Sequence, residues 1–138
     1  MKLFECQHCG QPLYFENGQC QGCGRRLGYI AAMHDMSALD SEPAMQGAAP
    51  TWTALADGRR YRFCSNAAHA SCNWLIPADS PDEFCEACRH NRMIPDLTVA
   101  NNLKRWQRIE IAKHRLFYTL LRLGLWLPTP AEHPEGLV

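Results

Sequence analysis

Eight cysteines fall into two sets of four, and none is left over. In the first set, two residues separate Cys6 from Cys9, ten residues follow, and Cys20 and Cys23 repeat the pair. In the second, Cys72 follows Cys64 after seven residues, and the pair Cys85 and Cys88 begins after twelve more. A Cys-x-x-Cys turn places two thiolates at two vertices of a tetrahedron, and a second turn brought in by a short hairpin supplies the other two. Soft thiolates select zinc over hard cations, and four of them leave no open position for a reactive water. Two structural Zn2+ ions are therefore expected, one held by Cys6, Cys9, Cys20 and Cys23, the other by Cys64, Cys72, Cys85 and Cys88. Iron in the same cage and a redox Cys-x-x-Cys remain as alternatives. Four disulfides compete too, but the first knuckle starts within six residues of Met1 with no secretory signal in between, and pairs of pairs are the metal pattern.

The elements that must position these thiols are short. Residues 1–30 read as a first four-cysteine ribbon, with a strand at Pro12–Phe15, a turn at Asn17-Gly18, and a third strand at Leu27–Ile30. Gly10 after Cys9 and Gly24 after Cys23 hold equivalent places, which marks a pseudo-symmetric pair of knuckles. Residues 31–58, rich in Met, Ala, Ser, Pro and Gly, read as a linker. Residues 59–95 form a second ribbon-like module: Arg60–Phe63 alternates as a strand, Cys72–Pro77 reads as another, and the long loop between Cys64 and Cys72 must bulge and return. Residues 96–125 read as an amphipathic helix capped by Asp96 or Thr98 and closed by Gly124. Its apolar stripe is read at Leu103, Trp106, Ile109, Leu116, Leu120 and Leu123, widened by Ala112, Phe117 and Leu121. Residues 126–138 read as a Pro-rich tail. The expected fold class is a small metal-stabilised α+β protein: two zinc-ribbon-like β modules followed by one long C-terminal helix. Modules this poor in apolar runs draw folding free energy from the metal, on the order of 10 kcal/mol per structural zinc.

The 138 residues allow one ordinary domain or two small ones, and a formal net charge of zero carries no global signal for nucleic acid. No apolar run approaches the ~18 residues that cross a membrane, so a soluble cytoplasmic protein is expected.

Longer strings carry a resemblance. Cys6-Gln7-His8-Cys9-Gly10, Cys72-Asn73-Trp74-Leu75-Ile76-Pro77 and Asn91-Arg92-x-Ile94-Pro95-Asp96-Leu97 resemble the N-terminal zinc-ribbon region of a bacterial family of zinc-binding metallopeptidases. The helix agrees, with Leu103-x2-Trp106-x2-Ile109-Glu110 and Leu120-Leu121-x-Leu123-Gly124. The resemblance implies a ribbon region followed by a larger domain with a His-Glu-x-x-His motif. No two of His8, His34, His69, His90, His114 and His133 are four apart, so that motif is not here and no catalytic residue carries over. The chain reads as the ribbon region alone, a piece of a longer protein and not itself an enzyme.

Blander readings stand beside the sharper ones. His8 and His69 lie close to ligand cysteines but read as solvated loop residues, and His90 as a surface group or one beside the metal shell. Lys104, Arg105, Arg108, Lys113, Arg115 and Arg122 stand against Glu110 alone in the helix, a local excess of five positive charges. A solvated face is favoured for them over a phosphate-tracking one. Trp74 and Trp106 read as core, and Trp126 as packing against a further domain. The expected partner is a protein, or a C-terminal catalytic domain, engaged through the helical segment 103–127. Nucleic acid is the alternative partner.

Overall fold

The computed structural model describes residues 1–138. Seven strands and one α-helix follow in chain order: β1 (Phe4–Glu5), β2 (Pro12–Leu13), β3 (Arg26–Ile30), β4 (Asp35–Ser41), β5 (Trp52–Ala54), β6 (Arg60–Phe63), β7 (Leu75–Pro77) and α1 (Asn102–Arg122). β1 and β2 form a two-stranded ladder, and β3 to β7 form a five-stranded antiparallel meander in sequence order. The meander curls until its ends meet. Tyr29 in β3 bridges Trp74 just before β7, and the Tyr29 amide donates to the Asn73 carbonyl at 2.9 Å.

Segment 31–58 departs from the linker reading. A 3-10 turn at Ala31–Met33 reverses the chain, His34 takes a left-handed φ of 51°, and β4 pairs with β3 from Ile30↔Asp35 to Arg26↔Leu39. β5 then adds to β4, and β6 to β5. The polar-looking run hides a strand because Met36, Ser37, Ala38 and Leu39 are all buried, so both faces are covered and no alternation survives. Buried Ser37 is satisfied locally: its hydroxyl donates to the Ala38 carbonyl and accepts from the Ala56 amide.

The two cysteine regions share one core. Phe4 and Phe15 from the first, Tyr29 and Met36 from the hairpin, Trp74 from the second, and Phe117 and Tyr118 from α1 belong to a single cluster. Aromatic edges meet there, with ring centroids 4.9 Å apart for Phe15–Tyr29, 4.7 Å for Tyr29–Trp74 and 5.2 Å for Phe15–Tyr118. The two ribbon modules are thus corners of one body with a common core. Trp74 and Trp106 are buried as predicted, and Trp126 is exposed.

Gly28 shows how tightly the curled sheet closes. A Cβ at this position would lie 2.5 Å from Leu75 Cγ and 2.7 Å from both its methyls. Gly28→Ala is expected to cost about 1–3 kcal/mol, read as a lowered denaturation midpoint in the zinc-loaded protein. In a Leu75→Ala background the added cost of Gly28→Ala should largely vanish; an unchanged midpoint for the single variant would contradict the closure.

Helix α1 starts at Asn102, later than predicted. Asn101 is left-handed at φ 69° and no side chain caps the helix. Asp96 closes its own turn instead, accepting from the Thr98 amide and hydroxyl at 2.9 and 2.6 Å. At the other end Gly124, at φ 70°, donates to the Leu121 carbonyl, as its predicted role requires. The buried face keeps only part of the predicted stripe: Trp106 and Phe117 are buried, and Leu120 and Leu121 pack partly buried against the core. Trp106, Glu110, His114, Phe117 and Tyr118 face inward, while Leu103, Ile109, Leu116 and Leu123 are exposed. The tail is not a free linker either: Leu127 is buried, and the Leu137 amide donates to the Pro128 carbonyl at 2.8 Å.

Candidate metal centres

The first knuckle pair is built from two matching turns. The Gly10 amide donates to the Cys6 carbonyl and the Gly24 amide to the Cys20 carbonyl, both at 2.9 Å, with Gly10 and Gly24 at φ 74° and 77°. Only glycine holds that left-handed position without strain, so each chain segment wraps back over its two thiols. The Cys6 amide donates to Gln11 and the Cys20 amide to Arg25, closing each turn. Gln7 sews this corner to the sheet: its amide nitrogen donates to the Met36 carbonyl, and its oxygen accepts from the Ala38 amide, each at 2.8 Å.

The second set is assembled from more distant pieces. β6 delivers Cys64, a 3-10 turn over Ser65–His69 forms the predicted bulge, and Ala70 at φ 52° turns the chain back to Cys72. Backbone amides point at the sulfurs: Trp74 to Cys72 Sγ at 3.4 Å, Cys85 to Cys64 Sγ at 3.5 Å, and Cys88 to Cys85 Sγ at 3.4 Å. Donors aimed at sulfur favour the thiolate over the thiol.

All eight predicted cysteines converge in their predicted sets, the sulfur atoms of each set lying within 4.8 Å of one another. None is in a disulfide. Cys6–Cys23, Cys9–Cys20 and Cys72–Cys85 sulfurs are 3.8, 3.5 and 3.7 Å apart. Four sulfurs at about 2.3 Å from a tetrahedral zinc stand about 3.8 Å from each other, so the cages have the size the ion needs. His8 and His69 belong to neither set and are exposed; His69 packs its edge on Trp106 instead.

The electrostatics point the same way. Hydrogen bonds from Cys72 and Cys85 hold Cys64 below the ordinary thiol value, and those from Cys64, Cys72 and Cys85 do so more strongly for Cys88. Burial drives Cys72 and Cys85 upward. In the first cluster the Cys23 amide helps lower Cys20 to about 7; against the pull of the Gln11 amide, desolvation and the neighbouring thiols push Cys9 up to about 12. Four crowded sulfurs cannot all ionise alone, and a divalent cation removes that conflict.

A buried polar group behind Cys88 was not read from the sequence. His114 Nε2 lies 3.5 Å and Glu110 Oε2 3.7 Å from Cys88 Sγ. His114 Nδ1–H donates to the Glu110 carbonyl at 2.6 Å. Glu110, 2% exposed, accepts from Trp106 Nε1 at 3.2 Å, Asn91 Nδ2 at 3.3 Å and Lys113 Nζ at 2.6 Å. With three donors on it, this carboxylate is a hydrogen-bond hub, and with His114 and Cys88 it also forms a third group of potential ligand atoms within 4.8 Å of one another. The signal in the sequence is the four-residue spacing of Trp106, Glu110 and His114, which stacks them on one helical face.

The same knuckle gathers the tail. Arg89 donates to the Leu127 carbonyl at 3.2 Å and pairs with Glu132 at 2.9 Å, and His90 Nδ1–H donates to the Leu137 carbonyl at 3.0 Å. His90, expected at the surface or beside the metal shell, is buried against Phe117. No helix of the structure is long and apolar enough to cross a membrane.

Three uncharacterized proteins, one from Mycobacterium bovis and two from strains of Mycobacterium tuberculosis, are each 34% identical to this chain over 135 residues, 98% of it. The chain spans 35% of the length of each of these curated relatives. No solved structure matches it. The profile of a zinc-ribbon domain family matches residues 3–99, through both four-cysteine sets, and the chain belongs to that family.

Proposed function

We propose that the chain is a structural zinc module with two closed sites, Cys6, Cys9, Cys20 and Cys23 holding one Zn2+ and Cys64, Cys72, Cys85 and Cys88 the other. The ions act as crosslinks, and none of the eight thiols acts on a substrate. The observation that carries this is the gathering of eight cysteines into two cages of tetrahedral size. Four thiolates per cage leave no position for water, so the module holds and presents surfaces and does no chemistry of its own. Its work is protein interaction: the second site anchors α1 and the tail, and α1 turns an aliphatic face outward. The metallopeptidase resemblance adds that the module sits beside a catalytic domain in a longer protein, which the threefold greater length of the relatives accommodates. Nucleic-acid binding has one observation in its favour, the positive excess of α1, and a salt-dependent mobility shift is its test.

Native mass spectrometry with elemental analysis tests the main reading. Two zinc ions per chain are expected, with eight thiol protons displaced. Chelator at neutral pH should then abolish the near-ultraviolet signal of buried Trp74 and Trp106. A cooperative thermal transition that survives complete metal removal would count against it, as would iron in place of zinc.

A further inference from the structure

Ile109 and Leu116 on α1 and Leu123 at its C-terminal cap lie seven residues apart and are 64%, 55% and 68% exposed. Seven residues are close to two helical turns, so the three side chains form one line along the outside of the helix, with exposed Ala112 and half-buried Leu120 beside it. Arg108, Arg115 and Arg122 each precede one member of that line and form a parallel row. On the opposite flank a groove of about 480 Å³ runs between α1 and the segments 90–93 and 137–138, with Met93, Leu116, Leu120 and Val138 in its walls. The one acid of α1, Glu110, is buried and already paired with Lys113. Of the arginine row, only Arg115 has an acidic partner, Glu16.

We propose that this outer face docks a separate amphipathic helix whose apolar seam is flanked by glutamate or aspartate. This rests on the structural-module reading above. A seven-residue aliphatic repeat is the seam of paired helices, whereas an extended strand would require apolar groups at every second residue. The line runs from Ile109 to Leu116 within α1 and ends at Leu123 on its C-terminal cap. The partner's charge follows from the arginine row, since flanking charges choose the partner of a helix pair. A second copy of this chain would set those arginines against its own basic helix. A phosphate backbone would match the arginines but leave three aliphatic side chains without apolar contact.

Two synthetic 21-residue peptides with the same leucine seam supply the test, one flanked throughout by glutamate and the other by lysine. Isothermal titration against the zinc-loaded chain is expected to show one-to-one binding of the glutamate peptide and at least roughly tenfold weaker binding of the lysine peptide. The double variant Arg108→Glu with Arg122→Glu should reverse that preference, and Leu116→Ser should weaken binding of the glutamate peptide. Zinc stoichiometry and far-ultraviolet dichroism are measured on every variant, so a failed metal module is told apart from a failed docking face. Equal affinity for both peptides, binding of neither, self-association that Leu116→Ser abolishes, or displacement of the glutamate peptide by a short single-stranded oligonucleotide each overturns the proposal.

Discussion

Cys88→Ser is expected to lower the zinc content from two per chain to one and to release helix α1. Serine removes one of four ligands from a site whose metal contributes on the order of 10 kcal/mol, comparable with the whole stability of a small domain. Cys88 also stands where the rest of the C-terminal third attaches. Its sulfur faces His114 and Glu110, its neighbour Arg89 holds Leu127 and Glu132, His90 holds Leu137, and Asn91 holds both Glu110 and Lys113. The first cluster closes within residues 6 to 25 through its own turns. Hydrogen exchange should therefore show α1 amides losing protection while residues 6–25 keep most of theirs. Loss of both metals from this variant would instead mean that the shared core of Phe15, Tyr29, Trp74 and Tyr118 makes the two corners one cooperative unit. Retention of both would sink the assignment of Cys88 as a ligand.

Glu110→Ala is expected to destabilise the zinc-loaded protein by about 3 kcal/mol, the low end of what removing one member of a buried ion pair costs, because Lys113 lies near enough to the surface to reach water. Trp106 Nε1 and Asn91 Nδ2 lose their acceptor at once, and Lys113 Nζ keeps only Asn91 Oδ1. Each buried donor left without a partner costs about 1–3 kcal/mol. The double variant Glu110→Met with Lys113→Met removes the charge and its partner together and should recover a large part of the loss. The variant should also release its second zinc faster, since the helix that covers Cys88 is no longer tied down, while the first site is unchanged. A denaturation midpoint equal to that of the native chain would show that Glu110 is solvated and the buried hub is not formed.

The chemistry was legible because it is local. A Cys-x-x-Cys turn with glycine one residue on prescribes its own geometry, and both knuckles of the first cluster follow it. β6 was legible for a similar reason: Arg60–Phe63 alternates in sequence, and it is a strand. β4 was not, since burial of Met36 through Leu39 on both faces erases the alternation that marks a half-exposed strand. The facing of α1 was misread in part, for the opposite reason: Trp106 and Phe117 face the core as read, but other stripe positions do not. Hydrophobicity assigns Ile109, Leu116 and Leu123 to the core, but Glu110 and His114 take those inward positions because Trp106, Asn91, Lys113 and Cys88 are there to meet them.

By itself, then, the order of residues determined which eight sulfurs meet, in which sets, and that one long helix follows them. Those facts rest on short loops and on ligand chemistry that few residues can supply. The tertiary structure decided what surrounds the sites. It curled five strands until Tyr29 met Trp74, merged two ribbon corners over one aromatic core, and turned a charged pair inward behind Cys88. Burial of a polar group is stable only when partners distant in sequence arrive beside it, and that arrival is a property of the assembled fold.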